Sequence, residues 1–178
     1  NTTTMNTDNN ADATMVKLVS NLDDRIFEVS MAAIQISQVC LDAAGEVDGD
    51  ENEDEYDNEN VKTIPLDVSG PNLEMIVDFM KHYQKEKMNE VKFSGDSFEM
   101  EVRQKWYQDF VSHEKLGGSE AARKKYIQLV KTSDYMCIQP ILSLVTFKMK
   151  CEMLGRSCDE IYEYLELPKD LIESHHPV

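Results

Sequence analysis

Asp134-Tyr135-Met136-Cys137-Ile138 and, further along, Gly155-Arg156-Ser157-Cys158-Asp159-Glu160-Ile161 bracket the oiliest part of this chain and decide its fold class. Between them Pro140 opens a helix whose apolar positions, Ile141, Leu142, Leu144, Val145, Met149 and Met153, cover more than one stripe. A surface helix needs one apolar stripe; a helix apolar nearly all round is central in a core or covered by another protein. Gly155 stops this helix. Ser157 and Glu160 then form an S-x-x-E capping box for a further helix that carries Ile161, Tyr164 and Leu165. The segment holds no plausible set of catalytic groups, so its surface is expected to be buried against its own core or a protein partner.

Upstream, the chain stays helical back to Trp106. Trp106, Phe110 and Val111 anchor a short helix, residues 115–118 break it, and residues 121–133 form the next, with Tyr126, Leu129 and Val130 on its inner face. Before that lies a polar link, residues 84–103, with no clear period. The first half differs in kind. Two β-prone runs, Met15–Ser20 and residues 25–29, flank the polar turn Asn21-Leu22-Asp23-Asp24, as in a hairpin. Ile36, Val39, Cys40 and Ala43 then repeat at helical spacing, and a brief strand is expected over residues 61–66. Ser69-Gly70-Pro71 opens a helix with the stripe Leu73, Ile76, Val77, Met80 and Tyr83, because proline suits the first helical position. The fold class is therefore α+β: a ββα, βα half with too few strands for a doubly wound sheet, followed by helices.

Composition limits the function. The chain has 178 residues, the size of one domain or one with an appendage, and its 41% apolar content suffices for a core. A net charge of −16 argues against nucleic acid, whose phosphates require a basic face. Nine acidic residues and no basic one lie between Glu46 and Glu59, and without them the charge is −7. Residues 46–60 are read as a solvated, self-repelling insertion. An EF-hand does not fit, since Asp48, Asp50, Asp54 and Glu59 lack the ligand spacing with a glycine at the sixth position. Residues 1–14, rich in Thr and Asn at their start and without a basic-then-apolar signal pattern, read as a loose tail. No apolar run reaches about eighteen residues, so no membrane insertion is expected. Cys40, Cys137, Cys151 and Cys158 show no C-x-x-C pairing and are read as reduced packing residues, which implies the cytoplasm or nucleus.

No cofactor, metal, small-molecule substrate or catalytic residue is expected. His82, His113, His175 and His176 form no spaced ligand set, and His175-His176 is a dipeptide beside Pro177 where zinc needs four ordered ligands. No nucleophile signature accompanies the cysteines, and Gly117-Gly118 lacks the lysine of a phosphate loop.

Over residues 15–167 the chain resembles the Skp family, the adaptor subunits of SCF-type cullin ubiquitin ligases, which have a BTB/POZ fold extended by C-terminal helices. Val16-Lys17-Leu18-Val19-Ser20 with Ile26-Phe27-Glu28-Val29 resembles the family's opening hairpin. Ile64-Pro65-Leu66 and the helix to His82 resemble its third strand and the helix after it. Trp106-Tyr107-Gln108-Asp109-Phe110 resembles its W-D-x-E-F segment, and the two opening motifs resemble its N-Y-L-D-I and G-K-T-P-E-E-I pair. Each motif alone is weakly specific; their order and spacing together are more so. The resemblance implies a BTB/POZ-like core over residues 15–138 and a helical extension over residues 139–178 that clasps an F-box or F-box-like protein. It implies cullin-facing Asp134 and Tyr135. The implied F-box-facing residues are Ile141, Leu142, Val145, Met149, Met153, Ile161, Tyr164 and Leu165. Met-rich surfaces suit several partners, because the unbranched thioether repacks readily. Every one of these positions also suits an intramolecular core; Leu144, Leu129 and Ile76 are read as core outright. A large apolar patch around Ile141, Val145, Met149 and Leu165 is expected on the isolated chain.

Four departures qualify the resemblance. Asp134 stands where the family has Asn, and a carboxylate buried unpaired against a cullin costs far more than an amide. Cys158 stands where many members have proline, and Leu116-Gly117-Gly118 lies in an altered, slightly lengthened loop. The end, from Leu167-Pro168-Lys169-Asp170-Leu171 to Val178, lacks the family's long acidic helix, which predicts a weaker or different clasp. The expected function is a non-catalytic adaptor between a cullin and F-box receptors. The alternative is a structural subunit bound to one F-box-like protein without a cullin. An elongin-C-like adaptor is a third reading, opposed by the extension past Ile138.

Overall fold

The computed structural model describes residues 14–45 and 61–168; the expected tail, the acidic insertion and residues 169–178 lie outside them. The fold is mixed α+β, and the chain separates into two compact units. One holds the described residues up to Lys87 together with Tyr135–Ile138. The other holds Met88–Asp134 and the described residues from Gln139 onward. The helical residues from 98 to 134 thus group with those after 139.

The first unit is built on a three-stranded sheet of order β2-β1-β3, with β1 (Met15–Ser20), β2 (Ile26–Ser30) and β3 (Lys62–Leu66). β1 is central because both neighbours use it. It runs antiparallel to β2, with Val16 opposite Val29 and Leu18 opposite Phe27, and parallel to β3, with Leu18 opposite Ile64. A parallel pair needs a crossover, here a 3-10 turn at Ala33–Ile36 and α1 (Gln38–Gly45). β3 lies at the edge, the position in a sheet that tolerates Pro65. Alternation puts Val16, Leu18 and Ser20 of β1 inside. α2 (Gly70–Lys85) packs against β2 and the 3-10 turn, and its buried Leu73, Ile76, Val77 and Met80 follow the expected stripe, with Phe79 added and Tyr83 left partly exposed. Ser69 supplies no side-chain cap to α2. Instead the Gly70 N–H donates to Asp23 Oδ2 at 2.8 Å, so the hairpin turn caps the helix.

The second unit is helical: α3 (Phe98–Glu101), α4 (Lys105–Phe110), α5 (Ser119–Tyr135), α6 (Gln139–Met153) and α7 (Cys158–Tyr164). The terminal Tyr135 of α5 belongs to the first unit. Residues 115–118 do break the helices, with Gly117 and Gly118 at φ 88° and 103°, the left-handed region that glycine enters freely. α6 is the hub. Its Ile141, Leu144, Val145, Phe147 and Met149 are buried, and Phe147 meets Phe93 edge-on at 5.5 Å and Phe98 at 6.0 Å between ring centroids. The supposed polar link is therefore partly structural. α2 runs on to Lys85, and Phe98 and Val102 are buried. Lys150 Nζ donates to the carbonyls of Phe93 and Gly95 at 2.8 and 2.7 Å, which ties the connecting segment to α6.

Candidate functional site

The motif at the end of α5 is anchored within the sheet unit. Met136 and Ile138 are fully buried, and Ser37 Oγ donates to the Met136 carbonyl at 2.7 Å. Between them Cys137 turns the chain with φ 54°, a left-handed helix stop that glycine or asparagine usually fills. The two residues expected to face a cullin stay outside. Asp134 is exposed, and Tyr135 is 44% exposed, with its hydroxyl 3.5 Å from the Asp67 N–H.

The eight residues expected to face an F-box divide into two sets. Ile141, Val145, Met149 and Tyr164 are buried within the chain itself, whereas Leu142, Met153, Ile161 and Leu165 are partly exposed. The expected apolar patch around Ile141, Val145, Met149 and Leu165 is therefore corrected: the first three belong to the core of the helical unit. The breadth of the apolar surface on α6 is accounted for by its own neighbours, the aromatic rings of Phe93 and Phe98 among them. Among the described residues, the large apolar side chains that the helical unit exposes are Phe93, Met100, Leu154 and Leu167. The cysteine reading is also corrected in part. All four thiols are free, but Cys137 and Cys158 are exposed and only Cys40 is fully buried. Burial pushes the Cys40 thiol above its ordinary range, with an opposing pull from Ser37.

One polar cluster was not foreseen, and it fastens the helical unit. Glu152, on α6, has a side chain only 14% exposed. It accepts from the Tyr164 hydroxyl of α7 at 2.9 Å and from the Tyr126 hydroxyl of α5 at 3.4 Å. His113 Nε2, from the turn after α4, lies 2.7 Å away, and Lys148 Nζ lies at 3.4 Å. A carboxylate only accepts, so His113 is the donor in that contact. The single Tyr126 hydroxyl hydrogen is shared with the Val111 carbonyl, the nearer acceptor at 2.6 Å. Burial first, and Glu152 second, push both tyrosine hydroxyls well above their ordinary range, which keeps them protonated donors.

A second clamp lies beside it. Arg123 of α5 donates through Nη1 to the carbonyls of Glu163 and Tyr164 at 2.9 and 3.0 Å, and pairs through Nη2 with Glu166 at 3.2 Å. A guanidinium at a helix C-terminus satisfies carbonyls that the helix cannot. An open depression of about 300 Å3 adjoins both clamps, and His113, Glu120, Arg123, Glu152, Arg156 and Tyr164 are among the residues that line it. Sequence reading noted His113 only as an isolated histidine. Glu152 carried a faint signal, a carboxylate at i, i+4 spacing from Lys148 on an otherwise oily helix.

The chain matches no family model and no curated protein. Among the described residues no helix is long and apolar enough to cross a membrane, and no group of three or more His, Cys, Asp or Glu side chains is placed to hold a metal ion.

Proposed function

We propose that the chain is a non-catalytic adaptor with a BTB/POZ-like sheet unit, bridging a cullin scaffold to F-box receptors in an SCF-type ubiquitin ligase. The observation that carries this reading is the order and spacing of its motifs: the ββα and βα elements, the Trp106 segment, Asp134 to Ile138, and Gly155 to Ile161. Two features of the fold support it. The capping box expected at Ser157 and Glu160 forms in full, and α7 starts at Cys158. The partly exposed Leu142, Met153, Ile161 and Leu165 then supply an apolar surface for a partner helix, reduced from the eight residues first assigned.

Asp134 favours a second reading, a structural subunit that holds one F-box-like protein without a cullin. It is an exposed carboxylate in the motif expected to meet a cullin, where the family carries a neutral amide. Affinity capture of the full chain from its native cells, read by mass spectrometry, separates the two. A cullin with several F-box proteins selects the ligase adaptor. One constant F-box-like partner without a cullin selects the structural subunit. Neither kind of partner overturns both.

A further inference from the structure

We propose that α7 is a hinged lid on the helical unit: it swings about Gly155, is fastened by Tyr164 to Glu152 and by Arg123 to its last carbonyls, and opens while α5 and α6 stay folded. The hinge is the one residue between α6 and α7 with a left-handed backbone, Gly155 at φ 79°. A Cβ there would meet nothing within 4 Å, so the glycine serves the backbone conformation and not close packing.

The lid carries its own start signal. The Ser157 hydroxyl accepts the Glu160 N–H at 3.3 Å, and the Glu160 carboxylate accepts the Ser157 N–H at 2.7 Å. Neither bond involves another element, so the cap of α7 is local to its own first turn. What does depend on docking is narrow. Tyr164 is the one buried residue of α7, while α6 buries five. The attachment is polar and concentrated at the C-terminal end: Tyr164 on Glu152, and Arg123 on the carbonyls of Glu163 and Tyr164. Beside it the seam is open, with depressions of about 300 and 500 Å3 that both touch Glu120, Arg123, Arg156 and Tyr164. An element with few buried apolar contacts opens at lower free energy than the core it rests on. Opening bares the Glu152 carboxylate that Tyr164 otherwise engages. None of this depends on the adaptor reading.

The test is peptide-resolved hydrogen exchange on the full chain, comparing residues 158–165 with residues 141–149. A seven-residue helix does not hold its hydrogen bonds alone in water, so each opening is read as exchange. In the wild type, α7 amides are expected to exchange well ahead of α6 amides. Tyr164→Phe removes only the hydroxyl and is expected to speed α7 about tenfold, the scale of one lost charge-assisted hydrogen bond, with α6 unchanged. Glu152→Gln is expected to do the same; if it also loosens α6 through His113 and Lys148, Tyr164→Phe alone decides. Exchange of α7 and α6 in step, in the wild type and in Tyr164→Phe, overturns the lid. So does a Tyr164→Phe variant whose α7 exchanges no faster than wild type.

Discussion

Asp23 is a small residue with a long reach. It sits in the turn between β1 and β2 yet caps α2 by accepting the Gly70 N–H, a contact spanning 47 positions. The Ser20 hydroxyl foremost, then the Gly70 and Arg25 backbones, hold its carboxyl below the usual carboxylate range, against a smaller opposing effect of desolvation. A depressed folded value means that the group stabilises the fold above its unfolded value and loses that contribution as pH falls through the folded one. Urea midpoints of wild type and Asp23→Asn should therefore differ by a constant amount above about pH 4 and converge below it. Gly70 is the partner in this design. A Cβ there would collide with the Arg25 side chain and lie 2.7 Å from both Asp23 carboxylate oxygens. Gly70→Ala should destabilise the chain by about 1–3 kcal/mol, measured by the same denaturation. Ser69, just before the helix, supplies no side-chain cap. A cap delivered from a distant turn leaves no local pattern to read.

Elements were more legible than contacts. β1 is found where its β-prone run put it, β2 is shifted by one residue, and α2 starts at the Gly70-Pro71 pair, because composition and punctuation are local properties of the chain. The capping box of α7 was legible for the same reason, and it gives a prediction at this scale. Ser157→Ala removes the hydroxyl that takes the Glu160 N–H and should cost α7 about 1 kcal/mol. Hydrogen exchange should report this as faster exchange in residues 158–165 and no change in residues 141–149. Equal loosening of both segments would show that the cap supports more than its own helix. The segment from 86 to 103 was less legible. Phe98 and Val102 are buried there, and Lys150 holds the Phe93 and Gly95 carbonyls, but no period of 2 or 3.6 announces any of it. The Glu152 cluster was hidden more deeply still, because its partners come from four separate parts of the chain.

At the scale of the whole molecule, the question left by the sequence was whether the oily last quarter serves the chain's own core or a partner. The division runs through single helices. Ile141 and Val145 are fully buried, whereas Leu142, one residue along α6, and Ile161 on α7 are partly exposed. Periodicity alone could not separate them, since a helix apolar nearly all round offers no polar side from which to count. Burial now predicts different consequences for similar truncations. Ile141→Ala and Val145→Ala delete buried methyl groups and should each lower stability by roughly 2–4 kcal/mol, leaving a cavity that a packed core closes only in part. Leu142→Ala and Ile161→Ala should lower it by about 1 kcal/mol or less, because water already reaches those side chains. If the proposed adaptor surface is right, the second pair should still weaken capture of an F-box-like partner by the folded chain, and the first pair should do so only in proportion to unfolding. Denaturation midpoints and partner capture, measured on the same four variants, separate the two roles. Full capture by folded Leu142→Ala and Ile161→Ala would remove these residues from the partner surface, and with them the physical support that the helical unit lends to the adaptor.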